Sequence, residues 1–305
     1  MEWIFPIRLR TYMSRFHIQW ENIREVRLRC NKPLVLITKQ GEKFLDTSLG
    51  VVSQSKEPYS VSSEDVKEMM AYLCQYSLYA YENELRQGFL TIRGGHRVGI
   101  SGQVVMEDGR IRSVSHITSL NLRVAHDVKG CAFEAFRYIW EDGRTCHTLI
   151  ISPPGYGKTT LLRDLIRMLS NGYNTYPGQN VSLIDERSEV AACYQGIPQN
   201  DIGIRTDVME QCPKAVGVEM MVRSMGPNII AFDEIGTSQD MKAVEYAIYS
   251  GCSVLATLHG REIEEVFHLW DKPLFQRYIC LNDWSKLSRI RKICDGNGRI
   301  LYKVE

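Results

Sequence analysis

The stretch Thr148-Leu149-Ile150-Ile151-Ser152-Pro153-Pro154-Gly155-Tyr156-Gly157-Lys158-Thr159-Thr160-Leu161-Leu162 decides how the rest of the chain reads. An apolar, β-prone run feeds a Gly/Pro loop, which ends in Gly-Lys-Thr-Thr just ahead of an amphipathic helix. A phosphate cradle needs that order. Backbone N–H groups of such a loop turn inward, and the helix N-terminus adds partial positive charge. Lys158 can then reach the β- and γ-phosphates, and the Thr159 hydroxyl can take a place on Mg²⁺. The pattern G-x-x-x-x-G-K-[ST] departs at one position, where Ser152 stands for the first glycine. Pro153, Pro154, Gly155, Tyr156 and Gly157 still form a stiff turn with two glycines for close backbone approach. The candidate nucleotide-binding set therefore runs from Ser152 through Lys158 and Thr159 to Thr160. The competing possibility is an ordinary strand–turn–helix.

Downstream, strands and helices alternate. The loop leads into a helix from Lys158 to about Ser170, with Leu161, Leu162, Leu165, Ile166 and Leu169 on one face and Asn171-Gly172 closing it. A strand at Val181–Ile184 ends in Asp185-Glu186-Arg187-Ser188-Glu189. The polar, turn-rich stretch from Gln195 to Pro213 reads as an active-site loop or a lid. A helix over Lys214–Met225 precedes a buried strand at Asn228–Phe232 that ends in Asp233-Glu234. A helix at Ser238–Ser250 and a strand at Ser253–His259 follow. Such alternation predicts a mostly parallel sheet covered on both faces. Ligands bind such sheets at the C-terminal ends of the strands. All four polar clusters fall at those ends.

The clusters suit phosphoryl transfer, which needs positioning and charge neutralisation more than covalent chemistry. Asp233 can hold Mg²⁺ directly or through water, beside Thr159. Glu234 points differently and suits orienting or deprotonating an attacking water. Asp185 and Glu186, with Glu189, either share that task or complete the metal's surroundings; alternatively they form the N-terminal cluster of a following helix. His259, a neutral donor near pH 7 when unperturbed, can sense the γ-phosphate. The catalytic candidates are thus Glu234, Asp185, Glu186 and His259, and the metal candidates are Thr159 and Asp233. Cys193 and Cys252 have no neighbouring base in sequence and read as core.

Upstream of the loop, residues 1–20 are aromatic and basic, which suits either a packed helix with solvated arginines or a nucleic-acid-binding stripe. Ile23–Cys30 alternates as a half-buried strand, and Leu34–Thr38 reads as a second. Residues 46–60 read as a loop. Ser62 or Ser63 caps a long helix through Leu85, with Glu64, Asp65 and Glu68 near its start. A glycine-rich β segment carries Arg93 and Arg97, which either reach a nucleotide or solvate a sheet face. Asp108-Gly109 marks a hairpin. A break at Asp142-Gly143 divides the chain into an N-terminal α+β domain (1–143) and a nucleotide-binding α/β domain (144–305). The last block, with Lys286, Arg289, Arg291, Lys292, Arg299 and Lys303, reads as strands with a solvated basic face.

Bulk properties exclude several classes. With 44% hydrophobic and 24% charged residues, a chain of 305 can bury a sizeable core. A net charge of +1 leaves nucleic-acid binding to local patches. The nine cysteines include no Cys-x-x-Cys pair, which fits reduced thiols better than disulfides or zinc. No apolar run is long enough to span a bilayer, and the N-terminus lacks the pattern of a signal peptide. The expected setting is cytoplasmic, with peripheral membrane attachment left open.

Gly155-Tyr156-Gly157-Lys158-Thr159-Thr160, Ile184 to Glu189, Asp233-Glu234-Ile235-Gly236 and Ala256-Thr257-Leu258-His259-Gly260 together resemble the Walker A, Asp, Walker B and His boxes of the secretion and pilus-motor ATPases. Within that superfamily the chain is similar to a family of sporulation proteins from endospore-forming bacteria, over most of its length. The resemblance implies a RecA-like P-loop domain with a mostly parallel sheet, preceded by a smaller α+β domain packed over the nucleotide. It implies ATP and Mg²⁺ as cofactors, a homo-oligomeric hexameric ring, and membrane channel proteins as partners. The activity implied is Mg²⁺-dependent ATP hydrolysis, powering a mother-cell-to-forespore channel from the mother-cell cytoplasm. Among arginines acting across subunits, Arg123 is the first candidate for nucleotide contact and Arg223 the second. Two departures stand out: Ser152 in the Walker A box, and Asp233 where many secretion ATPases have glycine. The alternative is a P-loop ATPase that binds single-stranded nucleic acid, but no compact nucleic-acid module is visible and no such partner is expected.

Overall fold

The computed structural model describes residues 1–77, 81–269, 274–282 and 289–304. The chain forms two compact units, Met1–His126 and Asp127–Glu305.

In the first unit the alternation read at Ile23–Cys30 becomes strand β1 (Ile23–Arg29), with Val26 and Leu28 fully buried and Arg24 in solvent. A bulge between Ile23 and Glu25 also turns Ile23 inward, out of strict alternation. Further strands are β2 (Val35–Thr38), β3 (Gly41–Asp46), β4 (Gly50–Val52), β5 (Phe89–Ile92), β6 (His96–Glu107) and β7 (Arg110–Arg123). They form one antiparallel sheet in the order β4-β3-β2-β1-β7-β6-β5. Asp108 (φ 50°) and Gly109 (φ 73°) make the β6–β7 turn, both in the left-handed conformation a type I′ hairpin needs. The segment 46–60, expected as a loop, contributes β4, because Asp46 accepts the Ser48 and Leu49 N–H groups and turns the chain back within four residues.

Helices α1 (Ile7–Met13) and α2 (Ser63–Leu73) cover this sheet's core. The expected helix through Leu85 is shorter: Gln75 and Tyr76 take left-handed φ values of 50° and 61°. Helix resumes as α3 (Glu82–Gln87), which Gly88 ends at φ 80°. Residues 78–80 of the expected helix lie outside the described residues. Two of the arginines weighed for nucleic-acid or nucleotide contact, Arg10 and Arg97, are engaged within the unit. Arg10 donates to the Trp3 and Phe5 carbonyls and to the Tyr72 hydroxyl, and the Arg97 guanidinium stacks on the Phe89 ring.

The second unit is built on a mixed sheet of eight strands. In chain order they are β8 (Thr148–Ser152), β9 (Val181–Asp185), β10 (Thr206–Glu210), β11 (Ile229–Phe232), β12 (Ser253–His259), β13 (Arg277–Leu281), β14 (Ile290–Asp295) and β15 (Ile300–Lys303). The spatial order is β10-β9-β11-β12-β8-β13-β14-β15, parallel from β10 to β13 and antiparallel beyond. Every residue of β8, β9, β11 and β13 is buried, as a strand covered on both faces requires. Helix α4 (Lys158–Asn171) closes one face with Leu161, Leu162, Leu165 and Leu169. Helices α5 (Lys214–Met225) and α6 (Ser238–Tyr249) close the other with Val218, Met221, Ala243 and Val244. Helix α7 (Ile263–Leu269) follows β12.

Strand β10 lies inside the stretch read from sequence as a loop. Its residues, Thr-Asp-Val-Met-Glu, are all half-buried on a sheet edge, so neither period 2 nor a continuous apolar run marks them. Residues 127–143 pack with the second unit, where Ala132, Ala135, Phe136, Ile139 and Trp140 join the core beside α4. The division between units therefore falls at 126/127, ahead of the break read at 142–143. At the C-terminal end, Arg291 and Lys292 pair with Glu262. Lys286 of the expected basic face lies outside the described residues.

Asp65 ties the start of α2 to the rest of the first unit. Its buried carboxylate accepts the Ser62 N–H at 2.8 Å and the Tyr59 hydroxyl at 3.1 Å, and pairs with Arg8. Asp65→Ala leaves these donors unsatisfied and should cost roughly 1–3 kcal/mol of stability, read as a lower Tm.

Candidate functional site

Parallel pairing brings the C-terminal ends of β8, β9, β11 and β12 to one edge of the sheet. Ser152 faces His259 in register, and Phe232, just before Asp233, faces Ala256. Sequence-distant clusters thereby meet.

The loop between β8 and α4 turns on two glycines. Gly155 (φ 80°) and Gly157 (φ 93°) both hold left-handed backbone that side-chain-bearing residues resist. Gly157 is the N-cap of α4. Ser152, at the irregular motif position, is the last residue of β8 and does not have positive φ. Its hydroxyl donates to the Pro153 carbonyl at 3.1 Å. No glycine is demanded there, so the departure costs the loop nothing sterically.

Lys158 is nearly sequestered, and its ammonium is fully partnered. Nζ donates to the carbonyls of Ser152 at 2.9 Å and Pro153 at 3.3 Å, and lies 2.8 Å from His259 Nδ1. An ammonium has no acceptor, so Nδ1 accepts and the ring proton sits on Nε2. Nε2 then faces Glu234 Oε1 at 3.2 Å, and the other carboxylate oxygen takes Arg187 Nη1 at 3.4 Å. A continuous polar chain thus runs Lys158–His259–Glu234–Arg187. Burial pulls the Lys158 pKa down, against the pull of the Glu234 and Asp233 charges.

The Thr159 hydroxyl donates to Asp233 Oδ1 at 3.1 Å. The turn that carries Asp233 is fixed from β12: Thr257 donates its hydroxyl to the Asp233 carbonyl, and the Ile235 N–H reaches the Thr257 carbonyl at 2.9 Å. Burial, then the charges of Asp185 and Glu189, push the Asp233 carboxyl up to about 7; the Thr159 hydrogen bond opposes this. A divalent cation would relieve that strain between acids. Thr159 and Asp233 are hard oxygen donors of the kind Mg²⁺ takes, and it usually fills its other positions with water and phosphate oxygens.

Asp185 sits wholly buried, and its carboxylate is consumed by its own loop. It accepts the N–H groups of Glu189 at 2.9 Å, Val190 at 3.0 Å and Ala191 at 2.8 Å. Burial nevertheless raises its pKa. No helix follows Glu189, contrary to one of the two expectations for this cluster; the loop continues through Gln195. Glu186 turns away to Lys214 at the start of α5, and Lys214 also reaches Asp240 at 3.5 Å. Arg123 lies at the end of β7 in the first unit, where it pairs with Glu25 at 3.7 Å. Arg223, on α5, pairs with Glu219 one helical turn away.

Three residues of this site escaped sequence reading. Arg163 on α4 donates to the carbonyls of Val190 and Glu189, both at 2.7 Å, and so ties the Asp185 loop to the phosphate-loop helix. Arg187 holds Glu234, and Lys214 holds Glu186. Only Arg187 carried a signal, by standing inside the acidic cluster.

A sequence model of the family described as "Sporulation stage III, protein AA" matches residues 1–301. The chain is 38% identical over 292 residues to the stage III sporulation protein AA of Bacillus subtilis, spanning 94% of this chain and 91% of that one. It is 28% identical over 159 residues to the competence protein ComGA of Streptococcus pneumoniae, spanning 49% of this chain and 45% of that one. Among solved structures it resembles the Legionella pneumophila ATPase DotB, with TM-score 0.58 and 14% identity over 96% of this chain and 82% of that one. It also resembles the pilus retraction motor PilT, solved with bound ADP, with TM-score 0.59 and 15% identity over 93% and 80% of the two chains. At such identities the likeness to DotB and PilT establishes a shared α/β fold.

The raised Asp233 pKa has a measurable consequence in protein freed of metal by chelation. The folded value of about 7 stands above an ordinary carboxyl value, so this group's stability contribution is full below about pH 4 and is lost as pH rises through 7. Asp233→Asn should remove that loss and raise Tm by a few degrees at pH 8 but not at pH 4, as followed by thermal melts.

Proposed function

This chain belongs to the sporulation stage III protein AA family, and from that premise we propose that it is a Mg²⁺-dependent ATP hydrolase with a RecA-like motor domain. The observation that carries the proposal is the Lys158–His259–Glu234 chain beside the Thr159–Asp233 pair, at one sheet edge.

Each residue takes a role from its geometry. The loop N–H groups and Lys158 bind the phosphates, and Lys158 gives up its contact with His259 to do so. Thr159 and Asp233 would hold Mg²⁺, which would supply positive charge to offset that of the phosphates. Glu234 orients the attacking water and takes its proton, with His259 and Arg187 fixing both carboxylate oxygens. Because His259 touches Lys158 through one nitrogen and Glu234 through the other, occupancy of the phosphate site reaches the base directly. Asp185 and Arg163 act as positioning residues that hold the 186–191 loop, and Glu186 joins that loop to α5 through Lys214.

We further propose that the protein works as a homo-hexameric ring in the mother-cell cytoplasm. There it attaches peripherally to a membrane complex and drives a channel toward the forespore. Family membership and the fold shared with ATPases DotB and PilT support that reading. Arg123 and Arg223, both exposed, are the candidates to complete a neighbouring subunit's site.

Two substitutions test the assignment. Lys158→Ala should weaken ATP binding by about tenfold or more and abolish hydrolysis, since the phosphates lose their cation. Glu234→Gln should keep ATP affinity within about threefold while phosphate release falls about 100-fold or more. Normal turnover in the Glu234 variant would remove it from the role of base.

A further inference from the structure

Lys214 is placed against local electrostatic preference. It is the first residue of α5, directly behind the N-cap Pro213, where the helix dipole disfavours a cation. Its side chain is also only 10% exposed, and an ammonium taken that far from water needs acceptors. It finds two carboxylates on different elements: Glu186, on the loop after β9, and Asp240, in the first turn of α6, at 3.5 Å. Residues that break a local rule and are compensated by distant contacts concentrate at functional sites.

Those two carboxylates belong to the two flanks of Glu234. On one side, Asp240 Oδ2 accepts the N–H groups of Gly236 at 3.0 Å and Thr237 at 2.9 Å, which fixes the turn that follows Asp233-Glu234-Ile235. Burial would raise the Asp240 pKa, but those N–H groups, the Thr237 hydroxyl and the Lys214 charge hold it below the usual carboxylate range. On the other side, Glu186 is followed directly by Arg187, whose Nη1 donates to Glu234 Oε2 at 3.4 Å. The contacts therefore close on themselves, from Glu234 through Gly236–Thr237, Asp240, Lys214, Glu186 and Arg187 back to Glu234. Lys214 has three donors and no acceptor, so one ammonium can serve both carboxylates. Without it, two like charges within reach of one nitrogen would repel each other, loosening both flanks at once.

We propose that Lys214 is a positioning residue for Glu234: its ammonium closes this circuit and so fixes the carboxylate that orients the attacking water. The role is one of orientation and not of nucleotide binding. Among the described residues the ion pairs of Lys214 are with Glu186 and Asp240 alone, so the phosphate loop and the Thr159–Asp233 pair do not depend on it. Glu234 has a second brace, the His259 Nε2 contact at 3.2 Å on its other oxygen. Loss of Lys214 thus leaves Glu234 in place but free to turn about that contact. Misplacement of a reacting group by about 1 Å can cost about 100-fold in rate.

The inference rests on Glu234 as the base, and the experiment separates the two. Turnover of Mg²⁺-ATP and affinity for Mg²⁺-ADP are measured on the full chain for wild type, Lys214→Met, Lys214→Arg and Glu234→Gln. Lys214→Met, which keeps the length of the side chain and removes its charge, should lower kcat about 10- to 100-fold and leave ADP affinity within about threefold. Lys214→Arg, which keeps the charge, should recover most of that turnover; a value as low as that of Lys214→Met would assign the effect to packing and overturn the role. Wild-type turnover in Lys214→Met, with Glu234→Gln inactive, would overturn the inference and leave the base standing, whereas normal turnover in Glu234→Gln would overturn both. Hydrogen exchange of the chain without nucleotide, followed by mass spectrometry, reads the circuit independently of turnover. In Lys214→Met the peptide carrying Gly236 and Thr237 should exchange about tenfold faster, while the peptide carrying Glu189–Ala191, held by Asp185, should not change. Equal acceleration of both peptides would report general loosening and overturn the circuit. Should Lys214→Met fail to fold, Glu186→Gln opens the same circuit at its exposed member. It should show the same fall in kcat with ADP affinity kept, and wild-type turnover there would overturn the inference.

Discussion

The Lys158 ammonium is the contact on which the site depends. A buried ammonium is costly unless each donor finds an acceptor, and here the acceptors are the Ser152 and Pro153 carbonyls and the His259 ring. Those partners stand together only because β8 and β12 run parallel and in register, with Ser152 opposite His259. The same pairing sets the Thr257 hydroxyl against the turn that presents Asp233 and Glu234. A one-residue slip between these strands would turn Thr257 and His259 to the other face and dissolve the chain of contacts. The apolar cores on both faces, which exclude such slips, are therefore part of the site's chemistry.

Charge is divided unevenly across this edge. Glu234 keeps cationic and polar partners in Arg187 and His259. Asp233 sits deeper, near other acids, and although the Thr159 hydroxyl favours its charge, its carboxyl is pushed up to about 7. Two adjacent carboxylates thus occupy different electrostatic environments. Asp185 adds negative charge near Asp233 while spending its own oxygens on three backbone N–H groups. Its effect on the site is electrostatic and architectural.

Much of the second unit was legible because its parallel strands are short, fully buried runs such as Leu149–Ile151 and Ile229–Phe232, each ending in polar residues. Strand–helix alternation then implies one sheet edge where those ends meet. Strand β10 was hidden, since Thr206–Glu210 is a half-buried edge with no pattern of its own. The end of α2 at Leu73 was hidden too, because apolar periodicity continues past it and only the left-handed Gln75 and Tyr76 break the helix. Arg163 could not be found, as an arginine on an amphipathic helix usually faces water. Its target, the carbonyls of Glu189 and Val190, exists only once the Asp185 loop has folded back. The segment 127–143 was assigned upstream because its turn at Asp142-Gly143 is conspicuous, whereas its anchor, the Asp164 carboxylate, is distant in sequence.

Phosphate release by the purified wild-type chain, followed against protein concentration with and without Mg²⁺, reads the proposed activity most directly. Hydrolysis of ATP that requires Mg²⁺ and rises more steeply than in proportion to protein concentration is the predicted result if, as proposed, neighbouring subunits complete each other's sites. Absence of Mg²⁺-dependent hydrolysis across concentrations at which the protein assembles would contradict the assignment of Lys158, Asp233 and Glu234 to an ATP-hydrolysing site.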